Sequence, residues 1–359
     1  MDEILGNTHN NYLGIHPLSL FEETQTPKIG CRQCQRRCLI PPGHTGYCHT
    51  VRNDNGKLYT LIYGLISSAA VDPIEKKPLY HFFPGSRCFS VGSLGCNFRC
   101  NFCQNWQIAY ADPESEVSEH YSFMSPNSLV EYAISSGCQG VAWTYNEPSI
   151  WYEYTLECAK LCKEHGLYTV YVTNGYATEE HLDGIGPYLD AYRVDIKSMD
   201  NAFYQKMAAV PSIDGILEIV SRAKHKWGMH VECVTNIVPE ENDSEDELAK
   251  LAAWIANDLG KQTPWHVTRF FPHSQMIDTQ PTPISILLNA MDIGRREGLE
   301  FVYPGNVDLP GKSNTLCPNC GSVLVERHGY STRIMGVDDH GCCLNDGQSA
   351  NLRLSPKVL

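Results

Sequence analysis

From residue 88 to residue 303 the chain alternates short β-branched and aromatic runs with longer amphipathic stretches, and this alternation restricts the fold more than any other feature. Strands are expected over 88–93, 140–145, 167–173, 191–197, 230–236 and 265–270, with a short one over 301–303. Helices are expected over 125–136, 150–164, from 179, and over 201–207, 214–227, 244–259 and 283–297. Six βα units in succession call for a parallel sheet with helical crossovers. Parallel strands covered on both faces are apolar throughout. Here Arg193, Asp195 and Lys197 share a face, as do His230 with Glu232 and His266 with Thr268. Polar inner faces point to a full or partial α/β barrel around a wet cavity rather than to an open doubly wound sheet. The site is then expected at the C-terminal strand ends.

Sixteen cysteines give that site its chemistry. The N-terminal MDEILGNTHN is acidic and polar, unlike a secretory signal. No apolar run approaches the roughly 18 residues of a membrane span. A cytoplasmic location is therefore expected, where clustered cysteines bind metal rather than pair as disulfides. The net charge of −13 disfavours generic nucleic-acid binding. Three groups stand out: Cys31, Cys34, Cys38 and Cys48; Cys96, Cys100 and Cys103; and Cys317, Cys320, Cys342 and Cys343. Cys88, Cys138, Cys158, Cys162 and Cys233 read as small buried hydrophobes.

The stretch GCNFRCNFCQNW, 95–106, directly follows the first expected strand. Three thiolates in one short loop can each bind one iron of a cubane cluster, leaving the fourth iron open to a small molecule. Electron-carrying clusters are mostly held by four cysteines. A zinc knuckle also wants four donors, usually as two pairs.

With its C-x3-C-x2-C spacing and Phe102 before the third cysteine, the loop resembles the radical S-adenosylmethionine (SAM) superfamily. CRQCQRRCLIPPGHTGYC, DPIEKKPLYHFFPGS, TYNEPSIWYEY, VTNGY, VDIK, WHVTRFFP and PGN extend the likeness over about residues 31–325. They are similar to the radical SAM enzymes of the AmmeMemoRadiSam system, relatives of pyruvate formate-lyase activating enzymes. The resemblance implies a partial (β/α)6 barrel with small Cys-rich extensions at both ends. It also implies a [4Fe–4S] cluster on Cys96, Cys100 and Cys103 that binds SAM. An electron from an external donor then cleaves SAM to a 5′-deoxyadenosyl radical, which abstracts hydrogen from a substrate. Memo-like and AMMECR-like partners are implied by the family name alone.

Candidate SAM contacts are Phe102, Glu147, Asn174, Asp195, Lys197 and Arg269. Glu147 stands where the superfamily carries a Gly-Gly-Glu-like segment, and a carboxylate suits the SAM ammonium; it also suits a helix cap. Asn174 suits the ribose or carboxylate, or simply an Asn-Gly turn. Arg269 suits an anionic group. His230 and Glu232 are weaker substrate-side candidates, and Lys76 and Lys77 fit a basic turn as well as a contact.

The first cysteine group supplies four thiolates, suited to zinc or to a fully ligated iron–sulfur cluster. In the last group, Cys317-Pro-Asn-Cys320-Gly is half of a ribbon, which family members often complete with a second C-x2-C-G. Here the corresponding stretch is CCLNDG, 342–347, so Asp346 or Cys342 completes the set with Cys343, or the tail has lost its metal. The expected division is a metal-binding segment over 1–70, the barrel over 71–305 and a ribbon-like tail over 306–359. Two further readings stand beside a radical SAM enzyme of small molecules or protein residues: an activase placing a glycyl radical on a partner, and a non-enzymatic metal-binding scaffold.

Overall fold

A computed structural model describes residues 15–116 and 121–354. They fall into two compact units, one drawn from 15–71, 88–116, 121–190 and 214–229, the other from 72–87, 191–213 and 230–354.

In the first unit, β1 (Arg87–Gly92), β2 (Gly140–Trp143) and β3 (Tyr168–Thr173) run parallel with β2 between the others. Their aromatic and β-branched residues are buried on both faces, as a helix-covered parallel sheet requires. The crossovers are α1 (Pro126–Ser135), α2 (Tyr152–Glu164) and α3 (Glu179–Ile185). Ser125 caps α1 by accepting from Ser128 N, with Pro126 at its first position, and Thr178 caps α3. Before the sheet, Phe21–Glu23, Ile29–Cys31 and Leu39–Ile40 form an antiparallel trio. Val51–Asp54 and Lys57–Thr60 form a hairpin whose two-residue turn, Asn55-Gly56, has positive φ at both positions, the type I′ geometry that Asn-Gly favours.

In the second unit, β4 (Ala191–Asp195), β5 (His230–Ile237), β6 (Trp265–Arg269) and β7 (Val302–Gly305) run parallel in sequence order. With them go α4 (Asn201–Ala208), α6 (Glu245–Trp254) and α7 (Ile284–Arg296), whereas α5 (Asp214–His225) belongs to the first unit. Ser244 accepts from Glu247 N (3.3 Å), and three acids fill the first turn of α6. The tail forms an antiparallel sheet of β8 (Thr315–Leu316), β9 (Val323–His328) and β10 (Ser331–Ile334).

The α/β class and all six βα units are as expected. Two helices differ in detail. The expected helix over 150–164 begins as a 3-10 turn, Pro148–Trp151, because Glu147 caps it and Trp151 Nε1 is anchored on Ile62 O (2.6 Å). The expected helix over 244–259 widens to a π turn over Ile255–Gly260. His230, Glu232 and His266 are at most 3% exposed, and both histidines hydrogen-bond Glu232, so this face lines no wet cavity, whereas the Asp195 side chain keeps 30% exposure. Among the described residues no helix is long and apolar enough to cross a membrane.

Candidate active site

The cysteine loop leaves the end of β1 through Gly95, whose φ is +78°. A Cβ there would lie 2.4 Å from Thr50 Cγ2 and 2.7 Å from Cys48 O, so only glycine lets the loop press onto the first cysteine segment. Asn146, in the turn after β2, holds the loop's start: its Nδ2 donates to Leu94 O and Gly95 O, both at 3.1 Å, and its Oδ1 accepts from Ser93 N (3.0 Å). Arg99 gathers the carbonyls of Cys96 (2.7 Å), Phe98 (2.8 Å) and Tyr47 (3.0 Å). Tyr110 donates to Cys100 O (2.5 Å). These contacts fix the loop backbone. Phe102 is 4% exposed and packs inward.

Cys96 Sγ receives the Phe98 N–H (3.4 Å) and the Asn174 amide (3.8 Å). Asn174 Nδ2 also donates to Asn97 Oδ1 (2.7 Å), and its Oδ1 accepts from Tyr176 N (3.0 Å). Glu147 secures this arrangement from the end of β2. Its Oε1 accepts from Ser149 N (3.0 Å) and Thr173 Oγ1 (2.7 Å), and its Oε2 from Asn174 N (2.8 Å). Glu147 thus caps the 3-10 turn and joins β2 to β3. Burial raises its carboxyl, against the hydrogen bonds that favour the anion. The Cys96 thiol is pushed well up by burial first, then by Glu147 and by Cys100 and Cys103. Clustered buried thiols of this kind ionise against a cation. An all-sulfur donor set with amide N–H groups aimed at a sulfur fits an iron–sulfur cluster, whose potential such bonds tune.

The first cysteine group lies beside this loop in the same unit. Cys31, Cys34, Cys38 and Cys48 line one small cavity together with Asn97 and Ile150. Cys31 N donates to Cys38 O (2.9 Å), and Thr50 Oγ1 donates to Cys48 Sγ (3.1 Å). Burial first, and Cys48 next, push Cys34 up to about 12. Arg36 ties the two groups: its Nε donates to Asn97 O (2.5 Å) while its guanidinium stacks 3.4 Å over the Tyr47 ring.

The other candidates belong to the second unit. Asp195 is paired with Arg193 (2.6 Å) and Lys197 (3.5 Å). Burial alone would raise the Asp195 carboxyl, and these two cations hold it below its ordinary value. Arg269 Nε donates to Thr282 O (2.8 Å), with the guanidinium over Phe271. Lys76 and Lys77 both pair with Asp72, at 2.8 and 2.7 Å. Glu232 accepts from His230 (2.9 Å), His266 (2.7 Å) and the backbone of Tyr80 and His81, an interior network rather than a substrate-facing pair. In the tail, donor atoms of Cys317, Cys320, Cys343 and Asp346 all lie within 4.8 Å of one another. Cys342 Sγ instead faces His340 O at 4.0 Å.

Asn97, Arg99 and Asn146 were not singled out from the sequence. The only available signal was their place inside GCNFRCNFCQNW and TYNEP, because each acts through partners that the fold brings to it.

Residues 90–255 match the family described as the Radical SAM superfamily. The chain is 40% identical over 318 residues to an uncharacterized protein of Methanocaldococcus jannaschii, covering 89% of this chain and 93% of that protein. It is 30% identical over 180 residues to the pyruvate formate-lyase-activating enzyme of Clostridium pasteurianum, covering 48% of this chain and 71% of that enzyme. A crystal structure of a radical SAM methyltransferase from Sphaerobacter thermophilus aligns with a TM-score of 0.48 at 15% identity, over 67% of this chain and 71% of that one. Since residues 90–255 match that family and the Clostridium pasteurianum enzyme is 30% identical over 71% of its length, the chain is an enzyme of the radical SAM superfamily.

Proposed function

We propose that Cys96, Cys100 and Cys103 hold a [4Fe–4S] cluster that binds SAM at its remaining iron. Reduced by an external electron donor, the cluster held there would supply the one electron that cleaves SAM into methionine and a 5′-deoxyadenosyl radical, which would take a hydrogen atom from the substrate. The observation that carries this reading is the Asn174 amide on Cys96 Sγ, held from behind by Glu147. Loop, β2 end and β3 end are thereby tied together beside Cys96 Sγ. Asn174 and Glu147 act as positioning residues for the loop. Phe102 packs the loop; Asp195, Lys197 and Arg269 are the second unit's candidates for SAM or substrate. The four cysteines 31, 34, 38 and 48 hold a second metal centre, zinc or iron–sulfur, that braces the loop through Arg36 and Asn97. Adding SAM to the anaerobically reconstituted, reduced protein is expected to change the cluster's electron paramagnetic resonance spectrum; an unchanged spectrum contradicts an open iron.

A second reading makes the substrate a glycyl-radical enzyme. It is favoured by the 30% identity to the Clostridium pasteurianum activating enzyme, most of whose length is covered. It predicts a SAM-dependent glycyl radical signal on a co-purified partner. The AmmeMemoRadiSam resemblance would instead pair the chain with Memo-like and AMMECR-like proteins, which co-purification tests.

A further inference from the structure

The tail contains two copies of one backbone device. In Cys317-Pro-Asn-Cys320-Gly321, Gly321 N donates to Cys317 O (2.9 Å) and Cys317 N to Ser322 O (2.8 Å). In Cys343-Leu-Asn-Asp346-Gly347, Gly347 N donates to Cys343 O (2.8 Å) and Cys343 N to Gln348 O (2.8 Å). Both glycines are left-handed, with φ of +75° and +74°. The two turns are equivalent, so Asp346 occupies the place in the second that Cys320 occupies in the first. Each turn offers a buried cysteine and an exposed second donor.

The spacings suit one small ion. A tetrahedral centre with Zn–S of about 2.3 Å and Zn–O of about 2.0 Å requires S···S of about 3.8 Å and S···O of about 3.5 Å. Cys320 Sγ lies 3.6 Å from Cys343 Sγ, and Cys317 Sγ lies 3.5 and 3.4 Å from the two Asp346 oxygens. The carboxylate is oriented by Asn319 Nδ2 (2.9 Å) and Gln348 N (3.0 Å). Asn345, from the second turn, donates to Ser322 Oγ (2.6 Å) beside the first. Outer partners of this kind are what ligands at metal sites carry.

We propose that Cys317, Cys320, Cys343 and Asp346 bind one zinc ion through three sulfurs and one oxygen, with Cys342 outside the set. The ion closes the tail onto the rest of its own unit. Cys317 and Cys343 share a buried cluster with Tyr80, Phe301 and Tyr303, and seven residues after Cys343 the carbonyl of Ala350 lies 2.8 Å from His81 Nδ1. The site is independent of the radical chemistry.

Zinc per chain and the zinc X-ray absorption edge are measured on the full-length reconstituted protein and on Cys343→Ser, Cys342→Ser and Asp346→Cys. Cys343→Ser is expected to carry one zinc per chain less than the parent, and Cys342→Ser the same as the parent. Asp346→Cys is expected to fold, to keep its zinc, to exchange one Zn–O for one Zn–S contact, and to lose zinc to a chelator at least about tenfold more slowly, since thiolate is the softer ligand. Equal zinc in Cys343→Ser and the parent, loss of zinc from Cys342→Ser, or an unchanged zinc shell in Asp346→Cys overturns the proposal.

Discussion

Asn174 meets Cys96 Sγ, Asn97 and the backbone of Tyr176 through one amide, and its own N–H is held by Glu147. Removing that amide leaves three thiolates in place but loosens the sulfur edge that they present. Asn174→Ala is expected to load the same iron and to form 5′-deoxyadenosine roughly 10- to 100-fold more slowly, the usual cost of losing a group that orients a metal ligand. An unchanged rate at equal iron would remove Asn174 from the site. At this scale the three loop cysteines were legible because sulfur spacing alone limits what they can bind. Asn97, Arg99 and Asn146 were not, since each meets partners that the fold brings from distant segments: Asn174 and Ser149 for Asn97, Tyr47 O for Arg99, and Leu94 and Gly95 for Asn146. Asp346 and Cys342 were equally plausible on paper; only the turn geometry separates them.

The second unit is organised around an interior carboxylate. Glu232 on β5 is fully buried, and burial alone would raise its pKa, but His230 and His266 hold it well below the ordinary range. Through the backbone of Tyr80 and His81 it also fixes the segment before β1. Glu232→Ala removes the acceptor shared by two buried histidines and two N–H groups, and is expected to destabilise the protein by about 3–5 kcal/mol in a denaturant titration; a change under about 0.5 kcal/mol contradicts the network. His81 is pushed down to about 3, chiefly by burial, with Arg327 and His230 acting in the same sense and Glu232 against. An unfolded histidine protonates near 6.5. The unfolded state therefore binds the extra proton between these values, and stability is retained above about 6.5 and lost as pH falls toward 3. The denaturation midpoint is expected to fall between pH 7 and pH 5, by up to about 1.4 kcal/mol per pH unit for this group; a flat profile contradicts a neutral buried His81. The elements themselves were legible because strand and helix periods are strong. The 3-10 entry to α2 and the π turn after α6 were not, because they depend on one tertiary anchor and on backbone widening that leave the hydrophobic period almost unchanged.

Over the molecule as a whole, the chain combines one reactive cysteine loop with flanking segments that have little core of their own. The first of these leans on the loop through Gly95, Arg36 and Asn97. Cys34→Ala is expected to lose the metal of the first group and lower thermal stability while retaining the iron of the central loop. Loss of both together would mean that the two groups form one centre. The central claim is that three sulfurs leave one iron open for SAM, and it is tested most directly by product formation. Under anaerobic reducing conditions with SAM, the reconstituted protein is expected to form 5′-deoxyadenosine and Cys100→Ala to form none. Cleavage that survives Cys100→Ala would contradict the account.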